Sequence, residues 1–211
     1  MSQARILIVE DDAILAIHLE GTITQLGYQV AGLAATSADA IKFALEQKPD
    51  VILMDIRLRD EVNGIQAANE IHEHLDIPVV YLTAYSDENL LQQAKLTDAY
   101  AYLTKPVRER ELHASLEMSL YKHASEKRIH HLNQVLRSVR DVNQLITRER
   151  VPQRLLDEAC AILMRTRGYR LALIVHVEKD RLRILSFAGE DREFINNIFE
   201  NSSGELINKL P

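Results

Sequence analysis

The sequence predicts a doubly wound parallel α/β sheet, followed by a long helix and a small α+β segment. Three observations carry this expectation. The runs RILIV at Arg5–Val9, VILM at residues 51–54 and PVVYLT at residues 78–83 are too continuously apolar for strands with one wet face, and read as strands covered on both sides. Helical patterns stand between them, with short connections. Polar residues follow the runs at once, at the carboxyl ends of strands, where open parallel sheets place their ligands.

After the first strand come Glu10, Asp11 and Asp12. Leu15, Leu19, Ile23 and Leu26 then recur at helical spacing, and Gly27 stops that helix. YQVAGL at 28–33 is the second strand. Ser37 is the expected N-cap of the helix ADAIKFALEQ, and Pro49 closes that region before the strand ending at Asp55. The loop RLRDEVN follows, and Gly64 opens a helix carrying Ile65, Ala68, Ile71 and Leu75. Pro78 begins the fourth strand. Ser86-Asp87 begin a short helix to about Leu96, and AYAYLT at 99–104 is the fifth strand, ending at Lys105-Pro106. Five strands alternating with helices give a flavodoxin-type sheet of order 2-1-3-4-5, in which strands 1 and 3 lie side by side.

From Val107 to Val151 there is no Gly and no Pro. As one helix this stretch would run roughly 65 Å at about 1.5 Å per residue. Ile129, Leu132, Leu136, Val139, Asn143 and Ile146 alternate by three and four, a short heptad seam with Asn143 at a core position that would fix register. The spacing fits either a parallel coiled coil of two protomers or a helix packed on its own domain. His130-His131 fits neither a phosphohistidine box, because RIHHLNQ lacks that pattern, nor a metal pair, because adjacent residues do not share a helix face. Pro152 starts the next helix, capped at Gly168; two strands follow, GYRLALIVHV and RLRILSF, and then a polar helix at about 191–199. The resulting division is residues 1–120, a helical linker at 121–150, and an α+β segment at 151–211.

Composition excludes several classes. Of the 211 residues, 46% are hydrophobic and 27% charged, which suits a soluble globular chain. No apolar run nears the roughly 20 residues of a membrane span, the polar start MSQAR lacks a signal-peptide core, and a lone Cys160 forms no internal disulfide. These point to the cytoplasm. The net charge of -6 is uneven: residues 1–106 carry 7 basic and 16 acidic side chains, while residues 107–154 carry 10 and 6. A modestly basic helix is a weak nucleic-acid signal, and a nucleic-acid partner is not expected.

With strands 1 and 3 adjacent, Glu10, Asp11 and Asp55 converge at one edge. Three carboxylates that close either raise a pKa or hold a hard cation through oxygen, for which magnesium is the natural choice. Strands 4 and 5 bring Thr83 and Lys105 to the same edge. A hydroxyl and an ammonium beside an acidic metal site suit a phosphoryl group, and an aspartate can be the nucleophile that accepts one. Each residue singly has an ordinary explanation, as helix-end acid, strand residue or solvated lysine. Jointly they point to one site.

In order and spacing, LIVEDD, LMDIRL, YLTAYSD and YLTKP resemble the receiver domain of two-component response regulators, over about residues 4–120. The resemblance implies that Asp55 accepts phosphate from the phosphohistidine of a histidine kinase or phosphotransfer partner. It implies further that Glu10, Asp11 and Asp55, with the Arg57 backbone carbonyl, hold Mg2+, that Thr83 and Lys105 contact the phosphoryl group, and that Lys105-Pro106 is cis. Tyr102 matches the aromatic of a Thr83/Tyr102 switch, which would reshape the surface of the fourth helix, fifth strand and fifth helix. Such a protein is a phosphoacceptor and not an enzyme on other substrates. A homodimer is expected, through that surface or through the linker helix. The loop RLRDEVNG departs from the family pattern, and Arg57 and Tyr85 flank the site, where they would tune phosphoryl lifetime. Residues 132–199 resemble the opening of a GAF sensory domain, by pattern more than by motif. The competing expectations are a receiver portion of a larger sensory or hybrid signalling protein, a transcription regulator with a separate output, a small-molecule sensor with a vestigial receiver, and an aspartate-nucleophile phosphatase. The last lacks an acid two residues after Asp55, where Arg57 stands.

Overall fold

The computed structural model describes residues 3–59, 62–84, 100–167, 169–178 and 181–189. Two compact units, Met1–Lys127 and Arg128–Pro211, divide the chain. The expected helix at 86–96, Tyr85, the Gly168 cap and the polar helix at 191–199 lie outside the described residues.

In the first unit, β1 (Arg5–Val9), α1 (Ala13–Gln25), β2 (Gln29–Ala34), α2 (Ser37–Gln47), β3 (Val51–Asp55), α3 (Gly64–His74), β4 (Val79–Thr83) and β5 (Ala101–Thr104) precede the long helix α4 (Glu109–Arg148). The strands form one parallel sheet of order β2-β1-β3-β4-β5, the flavodoxin-like arrangement the alternation predicted. Ile6–Val9 and Val51–Met54 have no solvent exposure, as their unbroken hydrophobicity requires. Alternate residues point to opposite faces. Leu7, Val9, Ile52, Met54, Val79 and Tyr81 pack beneath α2 and α3, while Ile6, Ile8, Leu53, Val80 and Leu82 pack against Leu19 and Ile23 of α1 and Leu112 and Leu116 of α4. Each such side chain contributes about 1.5–3 kcal/mol when fully buried.

Local signals set the helix ends. Asp12 caps α1 by accepting the amides of Ile14 and Leu15 at 2.9 and 3.2 Å, and Gly27, at φ 87°, follows the last turn where a side chain would be strained. The cap of α2 is Thr36, not Ser37. Thr36 is extended, and its hydroxyl accepts the Asp39 amide at 3.1 Å, whereas Ser37 is already helical and buried. Asn63 and Gln66 form a reciprocal capping box that starts α3 at Gly64.

α4 runs unbroken to Arg148, through the residues expected as a helical linker. Within the first unit it is latched to the amino-terminal edge of the sheet, opposite the acidic edge. The Tyr100 hydroxyl bonds Glu126 and lies 3.0 Å from His123 Nδ1, and Lys127 donates to the Asp76 carbonyl at 3.3 Å. Burial pushes the His123 pKa down, helped by Lys127 and opposed by Asp76 and Glu126.

In the second unit, the end of α4 leads into α5 (Pro152–Arg167), which packs on an antiparallel hairpin of β6 (Leu171–Glu178) and β7 (Arg181–Gly189). Ser186 donates to Asp157 at 2.6 Å and Gln153 to the Leu185 carbonyl at 3.0 Å, tying α5 to the hairpin. Cys160 is fully buried between them, its thiol pKa raised by that burial; it is a packing residue. Among the described residues no helix is long and apolar enough to cross a membrane.

Candidate functional site

Parallel pairing of β1 with β3 in the register Val9↔Met54 puts Glu10, just past β1, beside Asp55, the last residue of β3. Glu10 is anchored by its amide, which bonds the Ala34 carbonyl at 2.9 Å, and is 3% exposed; Asp55 is 5% exposed. Carboxylate oxygens of Glu10, Asp11 and Asp55, one from each, all lie within 4.8 Å of one another. Buried anions at that spacing repel strongly unless cations join them.

Two cations do. Lys105 Nζ lies 2.6 Å from Glu10 Oε2 and 2.6 Å from Asp55 Oδ2, bridging the two strands from the end of β5. Its backbone amide donates to the Thr83 carbonyl at 2.8 Å, and the Lys105–Pro106 peptide is cis, as the resemblance implied. Burial works to lower the Lys105 pKa, but the bonds to Asp55 and Glu10 outweigh it and leave the ammonium held above its usual value. Burial raises the Glu10 pKa, Lys105 opposes the shift and the Asp55 charge adds to it. Arg59 is the second cation: its Nε stands 2.6 Å from Asp11 Oδ2. The Arg59 side chain is 80% exposed, so this pair is weak beside the buried one.

The three adjacent acids after β1 therefore divide their work. Asp12 is the helix cap, and Glu10 and Asp11 face the site. Arg57 donates its amide to Asp55 Oδ1 at 3.1 Å, which orients that carboxylate. Thr83 is 2% exposed, and its hydroxyl donates to the Ala84 carbonyl at 3.1 Å. Tyr102 is half-buried, pairs with Tyr81 across β4 and β5, and stacks on its ring at 5.8 Å between centroids. Tyr81, Thr83 and Tyr102 share one face of the sheet, following strand alternation from that pairing.

Glu10, Asp11, Asp55, Thr83 and Lys105 thus all stand at the carboxyl edge, as the strand order required. Two further residues shape it without having been singled out in the sequence. Arg59, four past Asp55, is one; its signal was a basic residue inside an acidic half of the chain. Gly64 is the other. A Cβ there would lie 1.9 Å from the Asp55 carbonyl oxygen, so only glycine lets α3 start against the strand end that presents Asp55. A helix opened by glycine instead of a better helix former was the available hint.

The donor set is three carboxylates, hard oxygen ligands in a partly buried pocket, which suits a small divalent cation such as Mg2+. Fold and site together define a doubly wound α/β domain with an acidic pocket and a lysine at the sheet's carboxyl edge. The family model of the response regulator receiver domain matches residues 6–117, more than half of the chain, and the chain belongs to that family. It is 34% identical over 116 residues to the transcriptional regulatory protein PdtaR of Mycobacterium tuberculosis, covering 55% of this chain and 56% of that one. It is 35% identical over 124 residues to the phyllosphere-induced regulator PhyR of Methylorubrum extorquens, covering 58% and 46%. Among solved structures, the signal receiver domain of a modulated diguanylate cyclase from Desulfovibrio desulfuricans matches with a TM-score of 0.57 at 32% identity, over 59% of this chain and 99% of that one. The chain spans about half the length of the curated relatives it matches.

Proposed function

We propose that this chain is a phosphoacceptor response regulator that takes a phosphoryl group onto Asp55 from the phosphohistidine of a histidine kinase or phosphotransfer protein. The observation that carries the reading is the Lys105 ammonium held 2.6 Å from both Glu10 and Asp55 at the sheet edge. An Asp55 carboxylate oxygen attacks phosphorus, an O–P bond forms, the histidine N–P bond breaks, and the imidazole leaves with a proton. The Arg57 amide holds one Asp55 oxygen in place, and Lys105 pairs with the phosphoryl oxygens that it reaches by leaving Glu10. A Mg2+ ion held by Glu10, Asp11, Asp55 and the Arg57 carbonyl would supply further neutralisation of those oxygens. Chemistry is confined to this self-directed transfer and to later hydrolysis, in which water takes the phosphoryl group from Asp55 and inorganic phosphate leaves, with Arg57 and Tyr85 tuning the lifetime of the phosphoryl group.

Thr83 then turns from the Ala84 carbonyl toward the phosphoryl group, and Tyr102 moves into the space released. The stimulus is about two added negative charges. The signal passes to α4 and to the second unit, whose helix and hairpin are a GAF-like opening. A second copy joins either at the surface around β5 or through α4. The protein works in the cytoplasm, where kinases of this type place their phosphohistidine.

Intact mass after incubation with Mg2+ and a small phosphodonor tests the chemistry. A single phosphate adduct is expected on wild type and none on Asp55→Asn. An equal adduct on both would place the acceptor elsewhere. Amide shifts near Tyr102 that stay fixed on phosphorylation would remove the switch and leave the acceptor chemistry standing.

A further inference from the structure

In the second unit, α4 has two apolar faces where one would suffice. The inner face is used. Ser138 is 2% and Leu145 8% exposed, and Val135 and Val142 are half-buried. At about 100° per residue, Ile129, Leu132, Leu136, Val139, Asn143 and Ile146 all project from a second stripe, roughly 80–180° around the helix from Ser138. Those five apolar side chains are 59%, 52%, 65%, 51% and 56% exposed, and none of the six positions is charged. Scattered apolar residues on a surface are ordinary, but a contiguous stripe over five turns marks an interface.

We propose that this stripe, Ile129 to Ile146, is a homodimerisation seam closed by the same helix of a second copy, lying parallel and in register. It sharpens the dimer of the proposed function and is independent of its phosphoryl chemistry. Three properties of the stripe select this occupant. Its steps alternate three and four, the heptad pattern whose period of about 3.5 residues keeps a seam facing another helix; a groove in a globular partner imposes no such period. The one polar member, Asn143, stands at a core position among aliphatic neighbours. In a parallel, in-register pair it faces Asn143 of the second copy, and the two amides satisfy each other. An antiparallel pair with full overlap sets it against Leu132, and a shifted parallel register also sets it against an aliphatic residue, so both leave a polar amide without a partner in a drying seam. Third, the flanking positions pair Arg128 with Asn133, Val135 with Arg140, and Val142 with Thr147 across such a dimer, so no like charges meet.

The area is adequate. Five aliphatic side chains exposed by half or more offer about 100 Å² each, so two copies bury roughly 1,000 Å² before flanking residues are counted, the lower bound for a specific interface. The inner face of α4 is already buried at Ser138 and Leu145, so the seam adds to the packing of the unit and does not compete with it.

The test uses the full chain at micromolar concentration. Sedimentation equilibrium should give twice the monomer mass of 24.1 kDa, and Leu136→Glu should weaken association by about a hundred-fold or more, by burying a charge in the seam. Because Leu136 is exposed in the monomer, the variant should keep the wild-type circular dichroism spectrum. Cys160 is the only native cysteine and is buried, so introduced cysteines report orientation cleanly. Leu132→Cys should oxidise to a covalent homodimer, whereas antiparallel packing would instead link Leu132→Cys to Asn143→Cys in a mixture. A monomeric wild type with and without phosphodonor, a dimer indifferent to Leu136→Glu, or the antiparallel cross-link would each overturn the proposal. Asp55→Asn leaves the seam untouched, so a dimer in that variant separates this inference from the phosphoacceptor reading.

Discussion

Gly64→Ala should damage the site without touching any ionisable group. The added Cβ would lie 1.9 Å from the Asp55 carbonyl oxygen, 2.9 Å from its carbonyl carbon and 3.0 Å from Met54 Cγ. Contacts to backbone cannot be relieved by rotating a side chain, so either α3 or the end of β3 must move by about 1 Å. Both are held. The Gly64 amide donates to the Ile56 carbonyl at 3.0 Å, and the Ile56 amide to the Leu82 carbonyl at 3.1 Å. Overpacking of this size costs about 1–3 kcal/mol, and loss of the Gly64 bond adds about 1 kcal/mol. A drop of 2–4 kcal/mol in unfolding free energy should appear in denaturant titration. If β3 yields, Asp55 is displaced as well, and a misplacement of that order slows a positioned reaction about a hundred-fold. Phosphorylation rate by intact mass reads this. Gly21→Ala is the matched control: it lies within α1 with nothing inside 4 Å of the new Cβ, and should stabilise by up to about 1 kcal/mol. A Gly64→Ala protein as stable and as quickly phosphorylated as wild type would show that α3 does not bear on the Asp55 carbonyl.

Arg59→Ala should tighten Mg2+ binding by about two- to five-fold in calorimetry, because it frees Asp11 from an exposed ion pair worth at most about 1 kcal/mol; weaker binding would mean that Arg59 assists the metal. Tyr100→Phe should cost about 1 kcal/mol of stability by removing the hydroxyl that bonds Glu126 and His123, read as a lower denaturation midpoint with an unchanged slope. His123 is held below its usual pKa of 6.5, chiefly by burial. The unfolded state therefore takes up the proton first, and stability falls as pH drops below about 6.5. The wild type should lose more stability between pH 7.5 and 5.5 than His123→Gln does, and equal losses would show that His123 is not responsible.

The sheet was legible because its strands are buried on both faces. Runs such as Ile6–Val9 and Val51–Met54 leave little choice of element, and the strand order then dictates which strand ends meet. That is why Glu10, Asp11, Asp55, Thr83 and Lys105 could be placed together from spacing alone. What was not legible depends on distances between atoms far apart in sequence. Nothing in the loop RLRDEVNG says that Arg59 reaches back to Asp11, or that Gly64 must be bare because the Asp55 backbone carbonyl oxygen passes within contact of it. The Thr36 cap was missed because Thr and Ser stand adjacent and both suit the role; the backbone angle at Thr36, extended at φ -132°, decides between them. Along α4 the heptad spacing was visible, but whether it faced its own domain or solvent could not follow from spacing, since both arrangements satisfy it.

Among the described residues around Asp55, the groups with freedom to respond to a new charge are few. The backbones of Asp55, Leu82 and Ile56 are fixed in the sheet ladder, and Lys105 is fixed at its amide by the Thr83 carbonyl. Moving any of them breaks a bond between buried groups. The Lys105 ammonium can exchange Glu10 for a phosphoryl oxygen at no loss of charge pairing, and the Thr83 hydroxyl can exchange one acceptor for a better one by a single rotation. An ammonium that slides within the pocket changes little outside it. The Thr83 hydroxyl is different, because it lies on the same sheet face as Tyr102, whose ring rests on Tyr81 and reaches the partly exposed side of the core. On the proposed switch a signal leaving Asp55 would pass through this side-chain rotation toward β5, and Thr83→Ala should uncouple phosphorylation from any change at Tyr102 while leaving the mass adduct on Asp55 in place.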